Sequence, residues 1–259
     1  MEERILYLDC LSGISGDMTI GGLLDLGLDR EAFLQELNKV KVEGYKLKMK
    51  KNQKNGITGV DFDVVIEKPK DRKIDGNEHH GHGHHHEHHH RNLKDIEKLI
   101  EESALEESVK TMSKEIFTEV AKAEAKIHDK PMDAVHFHEV GAIDSIVDII
   151  GVAILIHQLN PDKIISSPLH MGTGFVTCAH GKIPVPAPAT LEILKGIPVY
   201  STGVRSELVT PTGAAIVKVL AEEFMDTPLM EIEKIGYGLG TKDLEITNVL
   251  RMMVGKKKA

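Results

Sequence analysis

Residues 135–148, VHFHEVGAIDSIVD, bring two imidazoles and three carboxylates into one short stretch. His136 and His138 lie two apart on an extended segment, so their side chains share a face. Glu139 follows at once, and Asp144 and Asp148 stack four apart on one side of a helix at its start. Imidazoles and carboxylates converging at a helix N-terminus suit a metal site or general acid–base chemistry. The positive end of the helix dipole favours ionised carboxylates there. Taken singly, Asp144 suits an N-cap and Asp148 a first-turn acid equally well. The whole set on a buried element is what points to chemistry.

Two further stretches offer backbone rather than side-chain chemistry. In DCLSGISGDM, residues 9–18, Asp9 ends a strand, Ser12, Gly13, Ser15 and Gly16 turn the chain tightly, and Asp17 opens a helix. A Gly/Ser loop feeding a helix N-terminus can seat an anion, although it also fits an ordinary strand-to-helix turn, and it lacks the lysine of a P-loop. In LHMGTGFVTCAHGKIPVPAPAT, Gly172 and Gly174 permit close approach to a ligand, and Cys178 and His180 alternate onto one face. An isolated cysteine is more commonly a buried structural residue than a ligand. TPTGAA sets Thr210 and Thr212 at a helix start, where hydroxyl caps and phosphate contacts are equally expected.

The densest signal is EHHGHGHHHEHHH. His79, His80, His82, His84, His85, His86, His88, His89 and His90 are nine of the chain's fifteen histidines. The run is internal and broken by Gly and Glu, unlike a purification tag. Neutral imidazole binds nickel, zinc, copper and iron, with nickel above iron and cobalt in the usual order. Nine ligands on a mobile segment suit capture and hand-off of a cation better than catalysis, and a polar loop of no specific role is the plain alternative.

The elements that must position these groups follow from periodicity. ILYLDC reads as a strand, and TIGGLLDLGL and REAFLQELNKV read as helices. YKLKMKKNQ and GVDFDVVIE alternate across KNGITG as a β-hairpin. The segment from NLKDIEKLI to AKIH is an amphipathic helix, with Leu105, Val109, Met112, Ile116, Val120, Ala123 and Ile127 stepping by fours and threes. AVHFHEVGA is extended, and DSIVDIIGVAILIHQL is a helix buried nearly all round. IPVYSTGV is a strand, TPTGAAIVKVLAEEF a helix with Pro211 near its start, and NVLRMMVG a strand. The expected fold class is α/β: a mixed sheet with antiparallel elements packed by helices, interrupted by a disordered His-rich insert. The expected organisation is an N-terminal α/β segment over 1–68, the mobile insert over 69–91 and an α/β segment over 92–255 that packs with the first.

Composition narrows the partners. A net charge of −8 and an aromatic content of 4% without tryptophan argue against nucleic acid. No segment has 18 consecutive apolar residues, and MEERILYLDC has no long apolar stretch behind a basic start. Cys10 and Cys178, the only two cysteines, form no disulfide framework. A soluble, cytoplasmic chain is expected, and a homo-oligomer is compatible with it.

With these residues laid out, the chain resembles the LarC family of nickel-insertion proteins of the nickel-pincer cofactor pathway. YLDCLSGISGDM, VHFHEVGAIDSIVDIIG, SPLHMGTGFV, AHGKIPVPAPATLEIL, TPTGAAI and GYGLGTKDLEITNVLRMMVG carry the resemblance nearly end to end. It implies a lyase-class nickel chelatase that inserts nickel into pyridinium-3,5-bisthiocarboxylic acid mononucleotide, forming one Ni–C and two Ni–S bonds. It further implies CTP with a divalent cation, hydrolysed to CMP and pyrophosphate, and lactate racemase as the downstream acceptor. On that reading imidazoles hold nickel, the Gly-rich turns seat the substrate phosphate, and one of Asp9, Asp17, Glu139, Asp144 or Asp148 takes the proton lost from the ring carbon. Family members continue into a CTP-binding C-terminal domain, so this chain is expected to be the N-terminal product of a frameshifted gene that needs that domain for turnover. A His-rich nickel metallochaperone or store, and a metal-dependent hydrolase built on His136, His138, Glu139 and Asp144, are the rival readings. Each leaves more of the motifs unexplained.

Overall fold

The computed structural model describes residues 2–67, 91–135, 137, 143–178 and 181–258. β1 (Glu2–Asp9) leads through the Gly/Ser loop to α1 (Gly16–Asp25) and α2 (Arg30–Leu37). The Asp29 carboxylate caps α2 by accepting from the backbone N–H groups of Glu31 and Ala32. β2 (Tyr45–Lys54) and β3 (Ile57–Ile66) form the expected hairpin, joined at Asn55-Gly56 with both residues at positive φ. That dipeptide is the preferred link for two right-twisted strands.

α3 (Leu93–Glu101) opens on a capping box between Asn92 and Asp95. The long amphipathic helix expected from Leu93 onward is broken there, and α4 runs separately over Glu107–Ile127. Ser103 explains the break: its hydroxyl donates to the Ile100 carbonyl at 2.6 Å, a local bond that competes with helix continuation. α5 (Ile143–Leu159) is buried over most of its length, as its uninterrupted apolar run requires.

β4 (Lys163–Ser166), β5 (Leu169–His170), β6 (Phe175–Cys178), β7 (Gly181–Pro184), α6 (Pro188–Ile193) and β8 (Val199–Tyr200) follow. α7 (Pro211–Leu220), β9 (Glu223–Phe224), β10 (Glu231–Leu239) and β11 (Val249–Lys258) complete the order. The main sheet runs β2-β3-β10-β11-β1-β4-β9. β11 pairs antiparallel with both β1 and β10, whereas β4 pairs in parallel with β1 and β9. The fold is therefore α/β with a mixed sheet, and its strands come from both sides of the His-rich stretch. β5 pairs with β8, and β6 with β7, in two small separate ribbons.

One face of the sheet carries the helices and the large core, from Leu6 and Leu8 through Phe62 to Met252. The other face holds a small cluster of Ile5, Tyr7, Ile165 and Met253. α1 lies directly on β10, where a Cβ added at Gly238 would sit 1.8 Å from the Met18 carbonyl oxygen. Only glycine allows that approach, and it brings the N-terminus of α1 to the edge of the core. Among the described residues no helix is long and apolar enough to cross a membrane.

Phe33 of α2 meets Phe62 of β3 edge-on at 6.3 Å between centroids, both fully buried. Phe33→Ala is expected to lower unfolding free energy by about 3–5 kcal/mol in urea denaturation. A loss under about 1 kcal/mol would mean that α2 does not carry the core contact assigned to it.

Candidate functional site

The Gly/Ser loop is stitched to the segment before α7. Ile14 donates its N–H to Leu208 O at 2.9 Å, and Thr210 returns an N–H to Ile14 O at 3.1 Å. Gly13 turns the loop at φ +86°, and a side chain there would collide with the Leu208 carbonyl. Thr210 caps α7 by accepting from Gly213 N–H at 3.1 Å. The N-termini of α1 and α7 are thereby locked side by side, and the first turns of α5 approach the same point.

Where the three helices meet, a pocket of about 230 Å³ opens. Ser15, Gly16 and Asp17 line it from α1, Asp144, Ser145 and Asp148 from α5, and Thr210, Pro211 and Thr212 from α7. Glu207 completes it. Among the described residues that line it there is no lysine, arginine or histidine.

Within this pocket Asp148 is more desolvated than Asp17. A Cβ added at Gly16 would lie 2.5 Å from Asp148 Oδ2, so the carboxylate rests on bare backbone. The Asp17 N–H hydrogen-bonds to it, and Asp148 Oδ1 is sealed from solvent without a hydrogen-bond partner. Burial first, then the charges of Asp17 and Asp144, push the Asp148 carboxyl well above the ordinary aspartate range. Asp17 is also raised by burial, partly offset by the Ser15 hydroxyl, which donates to its Oδ1 at 2.5 Å. The partial positive charge of unsatisfied N–H groups at helix starts opposes this effect and makes the acid cluster tolerable.

The structure thus brings Asp17, Asp144, Asp148, Ser15, Gly16, Thr210 and Thr212 together. Asp144 stands exposed at the mouth of the pocket. The anion seat expected at the start of α1 is filled from within by the Asp148 carboxylate. Asp9 lies elsewhere: it is buried against Arg251, its register partner on β11, and accepts from Arg251 Nε at 2.7 Å. Ser12 donates to Thr247 O at 2.8 Å, and Gly172 packs against the Ser206 carbonyl. Gly174 begins the β6–β7 ribbon at φ +100°. None of these four lines the pocket. Cys10 is fully buried, and burial pushes its thiol up to about 12, so it offers no thiolate. His79, His80, His82, His84, His85, His86, His88, His89, His90, His136, His138, Glu139 and His180 lie outside the described residues. Among the described residues no three His, Cys, Asp or Glu side chains form a ready metal cage.

Two residues escaped sequence reasoning. Glu207 is signalled only by its nearness to TPTG. His170 is buried, stacked on Tyr200 at 4.8 Å, with Nδ1 2.7 Å from Leu11 O and Nε2 2.8 Å from the Thr202 hydroxyl. A carbonyl can only accept, so Nδ1 carries the proton. Nε2 then accepts from the Thr202 N–H at 3.3 Å. With both nitrogens engaged, His170 is a brace between the Gly/Ser loop and the 200–203 segment.

The buried acid pair sets a pH dependence. A carboxyl raised in the folded state keeps a proton that the unfolded chain releases, so its contribution falls as pH climbs above the ordinary aspartate range near 4. Asp148→Asn removes that penalty. Its melting temperature should exceed that of the wild type at pH 7–8, with the gain shrinking toward pH 4. A gain of equal size at every pH would contradict the raised carboxyl.

Comparison with known proteins bears on what this pocket serves. The family model described as nickel insertion protein matches residues 6–259. The pyridinium-3,5-bisthiocarboxylic acid mononucleotide nickel insertion protein of Clostridium kluyveri is 53% identical over 98% of this chain and 63% of its own length. Its namesakes in Acetivibrio thermocellus and Geobacillus kaustophilus are each 50% identical over 98% of this chain, covering 61% and 60% of their lengths. The chain spans about three fifths of the relatives it matches. No solved structure matches it significantly. The family match covers both loops and all three helices that build the acid pocket, and on it the chain belongs to the nickel insertion protein family.

Proposed function

We propose that this chain is the nickel- and substrate-handling part of a CTP-dependent enzyme of the lyase class. Its substrate is pyridinium-3,5-bisthiocarboxylic acid mononucleotide, the compound in the names of three relatives. The product is the nickel-pincer cofactor passed to lactate racemase. Residues 1–68 and 92–255 act as one body around the 69–91 insert. CTP and its divalent cation bind a C-terminal domain or separate polypeptide, for which the greater length of the relatives leaves room.

The observation that supports this reading best is the pocket at three helix N-termini, lined by four carboxylates and no cationic group among the described residues. Insertion into a ring carbon breaks a C–H bond, forms a Ni–C bond and releases a proton. Asp144 is suited to accept it, because it faces both pocket and solvent and can pass the proton to water. The His79–His90 tract with His136, His138 and His180 gathers nickel. The substrate phosphate is seated at Gly172 and Gly174, outside the acid-lined pocket that Thr210 and Thr212 share with the carboxylates, since Asp148 already fills the seat at α1.

The test combines this chain with the CTP-binding polypeptide, Ni²⁺, CTP and the substrate, following CMP release and the absorbance of the nickel product. The wild type should form product only with CTP, and Asp144→Asn should cut kcat by about 100-fold or more with little change in KM. No product from the wild type removes the proposed activity. An unchanged rate in the variant removes Asp144 from the step.

A further inference from the structure

We infer that the pocket between α1, α5 and α7 is itself a divalent-cation site, anchored by Asp17 and Asp148 and distinct from the histidine tract. The inference deepens the reading above and rests on the same pocket. Its first support is charge. Asp17, Asp144 and Asp148 face one space of about 230 Å³ with no lysine, arginine or histidine among the described lining residues. Helix N-termini supply only partial charges, and a cluster of this kind is completed by a cation.

The second support is an orphaned atom. Buried polar atoms nearly always have a partner. Among the described residues three sealed side-chain atoms lack one, and Asp148 Oδ1 is the one that belongs to a carboxylate and to this pocket. A bound ion supplies the missing partner.

The third is preorganisation. Asp148 is held against Gly16 and the Asp17 N–H, and Asp17 is held by the Ser15 hydroxyl at 2.5 Å. Such outer contacts fix ligand orientation in metal sites. Among the described lining residues the side-chain donors are all oxygens, which suit a hard or borderline divalent ion. No cage of three side chains closes on one point among the described residues. Two carboxylates therefore leave most coordination positions to water or to the atoms of a bound substrate. An ion held in this way can be handed on.

Mn²⁺ is the probe, because it stands lowest in the affinity order for imidazole-type sites and is suited to carboxylates. The full chain is titrated with Mn²⁺ while the electron paramagnetic resonance signal of the free ion is followed. One bound Mn²⁺ per chain is expected, displaced by Ni²⁺, together with a rise in melting temperature. Asp17→Asn and Asp148→Asn should each weaken binding by about tenfold or more, whereas Glu115→Gln on α4 should leave it unchanged. Circular dichroism establishes that each variant is folded, and Ser15→Ala, which only frees Asp17, provides a milder test with the same direction. Absence of Mn²⁺ binding, or binding in both Asp variants as tight as in the wild type, overturns the site. Retained Mn²⁺ binding with no CTP-dependent insertion sinks the proposed activity alone. Intact insertion with no Mn²⁺ binding sinks the cation site alone.

Discussion

The Asp148 carboxylate lying on the bare backbone of Gly16 is the contact around which the rest of the site is arranged. It ties the second turn of α5 to the first turn of α1, and no side chain fits between them. Asp148 takes the N–H that would otherwise greet an external anion. The same loop is bonded to the segment leading into α7 through Ile14. Three helix starts are thus fixed relative to one another by backbone contacts and one desolvated acid, in addition to the apolar core that they share.

This arrangement inverts the common use of a helix N-terminus. In many nucleotide sites the free N–H groups wait for a phosphate. Here they hold carboxylates of the chain itself, and the resulting cavity has a negative lining. On the proposed reading the histidines and the acids divide the chemistry. Imidazoles are crowded into a tract of sequence, and carboxylates are assembled by the fold from segments far apart in the chain. The proposed nickel handling would use both, since a borderline ion is attracted by nitrogen and hard oxygen donors hold it less tightly.

Much of this architecture could be read from residue patterns. The unbroken apolar run of α5, the Asn-Gly hairpin and the Pro-started α7 each carry a local signal strong enough to survive tertiary packing. β10 carries none. Glu231–Leu239 keeps no period of two, being bulged between Ile232 and Lys234, and its glycines serve contact with α1 rather than strand propensity. The break between α3 and α4 rests on one serine hydroxyl, invisible to a periodicity argument. At the site, the motifs named Asp17, Asp144 and Asp148, but spacing alone could not say that Asp148 would occupy the loop that looked like an anion seat. Nor could it separate Asp9 from the cluster, because the Arg251 that claims it lies on a strand 242 residues away in sequence.

That pairing has a consequence for how the protein is made. Among the described strands β1 precedes all others in sequence, yet its antiparallel neighbour β11 follows all others, with Asp9 and Arg251 242 residues apart. β11 also separates β1 from β10 in the middle of the sheet. Until Val249–Lys258 emerges, a nascent chain has two half-sheets with open inner edges and a buried acid without its cation. Closure of such long-range pairs is slow, and unpaired edges invite association with other chains. The order of synthesis therefore makes this central strand the keystone of the sheet, set after the sheet's other strands are made.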